Sequence, residues 1–176
     1  MVLIALCAAG CSLDYSSAQV EVEADQSIPD TISVGIVYRM VKNSRPVIEL
    51  KADRAETFNA RKETILTAAR FSEFDQEGGV ATDGQAQSVV YNTETENAEI
   101  SGSVYVHSAA EEGSISTDSL SWENKTRILT ADPNELVVVK KDDGSYISGR
   151  GFVGDFRVKE VRFSGPVEGK YVYEKE

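Results

Sequence analysis

One histidine, one tryptophan and two cysteines in 176 residues leave few groups for acid–base, redox or metal chemistry. His107 has no second histidine to share a metal with, and no thiol near it in the chain, whereas zinc sites draw on several such ligands. A Ser-His-Asp triad would have to use His107, yet no G-x-S-x-G elbow occurs. Both cysteines, Cys7 and Cys11, fall in the first eleven residues, so no disulfide frames the body. Basic charge is also scarce. Lys and Arg number 18 against 29 Asp and Glu, a net charge of −11. Nucleic-acid binders need a basic face to release counterions, and anionic membrane surfaces attract basic patches, so both partners are disfavoured. No apolar run approaches the ~20 residues that cross a bilayer. What remains is binding, transport or scaffolding. Apolar residues make up 41%, enough for a core, and the length suits one domain.

The charge is unevenly placed. No Lys or Arg precedes Arg39, and that stretch holds Asp14, Glu21, Glu23, Asp25 and Asp30. Residues 1–10 read as a signal-like segment, an apolar run followed by small residues. Ala8-Ala9-Gly10-Cys11 resembles a bacterial lipobox, which implies a lipid on Cys11 as a membrane anchor. Residues 11–30 then read as a solvated acidic tether, with a short strand at Val20–Val22 as the alternative.

The body, 31–170, reads as all-β, with 171–176 as a tail. Ile32, Val34, Ile36, Tyr38 and Met40 occupy every second position, the period of a half-buried strand. Ile48, Leu50 and Ala52 follow Pro46, and Ile100, Gly102, Val104 and Val106 alternate likewise. Leu136–Val139 is a short apolar run that leads into Asp142-Asp143-Gly144, a hairpin turn signal. Residues 52–74 are rich in Ala, Glu, Arg and Lys, so propensity alone accommodates a helix there.

A repeat argues otherwise. Phe58, Tyr91, Trp122 and Phe156 recur roughly every 32 residues, with glycine turns at Gly78-Gly79, Gly113 and Gly144 between them. Each unit is a strand pair that must stack on its neighbours, which makes 52–74 strand as well.

The segment from Ser114 through Leu120, Trp122 and Thr130 to Asp132 resembles the LptC family of lipopolysaccharide-export proteins. So do the turn Gly149-Arg150-Gly151, Phe152–Phe156, Val161–Gly165, Ile100–Val106 and Glu49–Ala55. The resemblance implies an open β-jellyroll, two antiparallel sheets facing each other in a V. It implies a periplasmic protein anchored to the inner membrane, by the lipid on Cys11 or by a segment upstream of this start. It further implies lipopolysaccharide or a related glycolipid as ligand, with ABC transporter membrane subunits and a periplasmic LptA-like bridge protein as partners. No cofactor and no enzymatic activity are expected.

Ile36, Tyr38, Leu50, Ile100, Val104, Val106, Val138 and Phe163 are then the candidates for an acyl-chain groove. Alternation sets their face, and a slip of one residue would invert it. In a closed sandwich the same residues would fill a core. Thr31–Met40 and Val158–Val167 are the candidate edge strands for partner jellyrolls. Gly149-x-Gly151-x-x-Gly154 fits a dinucleotide fingerprint only in letters: strand-like residues follow where a helix is required. A β-repeat lipoprotein acting as an interaction scaffold is the alternative function.

Overall fold

The computed structural model describes residues 27–173; Cys11, most of the expected tether and Val20–Val22 lie outside them. Every regular element among the described residues is a strand. They are β1 (Thr31–Lys42), β2 (Arg45–Phe58), β3 (Glu63–Phe74), β4 (Val80–Asn92), β5 (Ala98–Ser108) and β6 (Gly113–Glu123). Shorter strands follow: β7 (Ile128–Thr130), β8 (Val137–Lys141), β9 (Tyr146–Gly149), β10 (Phe152–Asp155), β11 (Glu160–Phe163) and β12 (Val167–Lys170). Residues 52–74 form the end of β2, a turn and β3. The helix-compatible composition is overridden because each of these strands is hydrogen-bonded on both sides. Their Ala52, Ala55, Leu66 and Ala69 are buried together, so pairing and burial outweigh propensity.

β1 to β6 form an antiparallel meander, and β6 is where the sheet forks. Ser121–Glu123 of β6 pair with β7, whereas Gly113–Ser116 pair with β8. One branch continues β7-β10-β11 and the other β8-β9-β12. The chain shuttles between branches at residues 131–136, at Arg150-Gly151 and at residues 164–166. The branches face each other, since Val137 of one and Phe152 of the other share one buried cluster with Val104, Leu120 and Leu129. The expected single edge strand Val158–Val167 is therefore two strands on opposite branches. Ser164 and Gly165 donate their N–H groups to the carbonyls of Gly151 and Arg150, which ties the crossover together. Pro166 then has no N–H with which to continue a ladder.

A row of left-handed residues crosses the meander at mid-strand: Gly35 in β1, Ala68 in β3, and Gly102 and Ser103 in β5, all with φ between 50° and 81°. Each reverses the in–out alternation of its neighbourhood. Leu66 and Ala69, either side of the step at Ala68, are three residues apart yet share one cluster, which an unbroken period of two forbids; Ala52 and Ala55 of β2, opposite Gly35, shift phase in the same way without a left-handed residue of their own. The uniform alternation expected over Ile32–Met40 is interrupted for the same reason. Ser33 stands opposite buried Ala55 and Ile36 opposite buried Ala52, so Ile32 and Val34 fall on the other face from Ile36 and Tyr38. The left-handed turns at Lys62, Glu96, Arg127 and Lys159, one per unit, show the same repeat in the backbone. Phe58, Tyr91 and Trp122 sit at the ends of β2, β4 and β6, just before these turns.

At Gly102 the bend is tightest, because a Cβ there would lie 2.6 Å from the Gln87 Cβ at a φ of +81°. Gly102→Ala is expected to lower the free energy of unfolding by about 2 kcal/mol, read from urea denaturation. An unchanged midpoint would show that the bend does not need this glycine.

Candidate functional site

The fork leaves a cleft where the branches part. Val106 of β5, Ile115 of β6 and Val139 of β8 form one wall; Phe152 of β10, Phe156 just after it and Val161 of β11 form the other. Together they line a cavity of about 370 Å³. Alternation along β6 and β8 aims Ile115 and Val139 inward, and the two residues stand opposite each other in register. Trp122 supports the far wall from beneath, its ring edge-on to Phe156 at 5.7 Å. A second cavity of about 670 Å³ adjoins at Val139 and Lys141, walled by Tyr146, Ile147, Val167 and Tyr171 of the β9–β12 edge.

The rim is polar. Lys159, in the β10–β11 turn, reaches Glu111 in the β5–β6 turn at 3.4 Å, spanning the mouth from branch to branch. Lys141 of β8 donates to the Glu111 main-chain carbonyl. The hydrogen bonds from Arg157 hold the Asp155 carboxyl down at about 2. Arg162 likewise lowers Glu160. Both carboxylates thus stay ionised and engaged throughout the neutral range.

Glu135, in the crossover from β7 to β8, ties that crossover to the middle of β6. One of its carboxylate oxygens accepts the Ser119 main-chain N–H and hydroxyl, each at 2.8 Å, where β6 bends. This bond secures the point at which β6 leaves one branch for the other. Glu135→Ala should cost about 1–3 kcal/mol of stability by leaving the part-buried Ser119 N–H unsatisfied, read as a lowered thermal midpoint. A midpoint within experimental scatter of the native chain's would show that water replaces the carboxylate.

The sequence-derived groove positions separate into groups. Val106 lines the cavity. Val104 is 2% exposed within the main core, with Ile100 and Phe163 packed against it. Ile36 and Leu50 pack on the alanine cluster, and Tyr38 is half exposed on β1. Val138 is corrected by one residue. Val137 and Val139 join the core cluster, and Val138, between them, points to the opposite face. In an apolar run of three valines alternation has no polar member to mark the phase. Ile115, Val139, Phe152, Phe156 and Val161 escaped the sequence reading; the repeat could have flagged Phe156, which is the fourth aromatic of the series. The His107 ring lies 3.2 Å from Asp142 and 3.7 Å from Asp83, linking β4, β5 and the β8–β9 turn. The glycines of 149–154 make the crossover into β10, with Gly151 left-handed, and a strand follows as expected.

The sequence model of the family "Lipopolysaccharide-assembly, LptC-related" matches residues 1–172. The chain belongs to the LptC family. No curated protein matches it. Among solved structures it is similar to LptH of Pseudomonas aeruginosa, described as the LptA-homologous periplasmic component of the lipopolysaccharide transport device. The TM-score is 0.52 at 13% identity, over 72% of this chain and 95% of LptH. At that identity the likeness establishes the fold, the open β-jellyroll. This LptC-family chain thus has a role in lipopolysaccharide transport, and the family's work is non-enzymatic and periplasmic.

Proposed function

We propose that this LptC-family chain holds lipopolysaccharide, or a related glycolipid, by its acyl chains in the cleft between the branches. It takes the lipid from the membrane subunits of an ABC transporter and passes it to an LptA-like bridge protein. The observation that carries this reading is the apolar cleft at the fork, lined by Val106, Ile115, Val139, Phe152, Phe156 and Val161. Each methylene buried there contributes about 0.8 kcal/mol, so partial insertion of a chain is enough for a hold that can be released.

Transfer between jellyrolls needs strand edges that accept a partner's strand. Among the described residues β1 pairs only with β2, β11 only with β10 and β12 only with β9. Protected edges carry charge or proline. β1 instead exposes Val34 at 78% and Val41 at 58%, together with Ile32, Val37 and Tyr38. A pure scaffold would have a filled cleft and polar edges; this chain has an open mouth and an apolar edge. Cys11 carries the lipid that anchors the tether to the inner membrane in this reading. An unmodified Cys11 in membrane-fraction protein, by mass spectrometry of the mature N-terminus, would sink that part.

Photo-crosslinking in intact cells tests the cleft. A crosslinker at Val106 is expected to give glycolipid adducts. One at neighbouring Tyr105, which points to the other face, should give few. Equal yields from both positions, or none from Val106, would overturn the acyl-chain reading.

A further inference from the structure

Two lysines from different branches converge on one residue at the mouth of the cleft. Lys159 rises from the β10–β11 turn and Lys141 from the end of β8, and both line the same cavity as Val106 and Phe156. Glu111 serves both, its carboxylate facing Lys159 and its main-chain carbonyl facing Lys141. Three of the other acids near this rim are engaged. Asp155 is held by Arg157, Glu160 by Arg162, and Asp142, next to Lys141, faces His107. Glu112, beside Glu111, lines the adjoining cavity with Lys141. Lys141 has no ion pair among the described residues, and the one to Lys159 is weak. Its two side chains are 80% and 60% exposed, so water competes for both charges.

We propose that Lys141 and Lys159 form a phosphate clamp over the apolar cleft. A phosphorylated glycolipid puts its acyl chains between Val106 and Phe156 and its phosphate between the two ammonium groups, displacing the Glu111 carboxylate. This inference rests on the acyl-chain reading above and adds the headgroup to it. A dianionic phosphate carries about twice the charge of a carboxylate and accepts charge-assisted hydrogen bonds from both lysines at once. The chain's overall charge of −11 does not prevent this, because charges beyond about 8 Å are screened at physiological salt, while the two lysines meet at one residue, Glu111. The lysines also stand on opposite walls, so a phosphate between them would tie the branches together across the loaded cleft.

The test compares binding of bis-phosphorylated lipid A with its dephosphorylated form, both in detergent micelles, to the full chain. The native chain should prefer the phosphorylated form by about tenfold, from two charge-assisted contacts. The Lys141→Gln/Lys159→Gln double variant should lose that preference and keep its affinity for the dephosphorylated form. Lys125→Gln, in the β6–β7 turn away from the mouth, should behave as the native chain. Excess inorganic phosphate should weaken the preference only when the lysines are present. A preference retained in the double variant overturns the clamp. So does an equal loss for both lipids, which would mean the lysines hold the walls in place. If the native chain binds both lipids equally, the clamp falls and the acyl-chain reading stands. If it binds neither, the acyl-chain reading falls and takes the clamp with it.

Discussion

The mid-strand bend is the constraint on which the rest of this molecule depends. A strand with unbroken alternation shows one face to the core along its whole length, and a sheet of such strands has one inside. Here the left-handed residues at Gly35, Ala68, Gly102 and Ser103 reset the alternation across β1, β3 and β5. In β3 the reset at Ala68 lets Leu66 and Ala69 face one interior, and Ala52 and Ala55 of β2, which stand across from the bend at Gly35, face it too. Ala68 and Ser103 adopt a conformation that costs an L-residue about 1 kcal/mol or more. Neighbouring ladders on both sides hold them in it.

The bend also determines where the cleft is. Up to β6 the two halves belong to the same strands, so they cannot part. Beyond β6 each half continues on separate short strands, and only side chains and crossovers connect the branches. Val137, Leu120 and Phe152 fill the base of the fork, with Phe163 edge-on to Phe152 at 5.7 Å. Glu135 secures the parting point of β6. Outward of this plug the walls diverge, and apolar residues such as Ile115 and Val139, though packed on the core behind them, leave one face to the cavity. The cleft is therefore a consequence of connectivity: strands too short to cross the bend can be joined at one end and separate at the other.

Much of this was legible in local sequence, and what was not shares one cause. Strand content followed from the period of two, the hairpin at Asp142–Gly144 from its turn residues, and the recurring unit from four aromatics. These signals are local. The phase of alternation was lost at Gly35, where an inner and an outer residue exchange roles without any change in the pattern of apolar letters. It was lost again at Val137–Val139, where no polar neighbour marks the outside. Val158–Val167 reads as one edge strand, and only the pairing of β11 with β10 and β12 with β9 shows that it serves two branches. Lys141 and Lys159 lie on different elements, and no spacing in the chain announces that the fold brings them to one mouth.

Side-chain size sets a gradient of stability along the sheet. At the β1 end the buried residues are mainly alanines, which offer little apolar area, so pairing rather than packing holds β1 in place. At the fork, leucine, valine and phenylalanine are fully buried. Exposed ion pairs such as Arg39 with Glu49 add little to the grip of β2 on β1. Local opening free energies follow buried apolar contact, so the β1 hairpin is the low-stability end and the fork the high-stability end. That order suits a carrier. In the proposed relay the edge that accepts a partner's strand is the low-stability one, while the plug beneath the cleft keeps the walls in place.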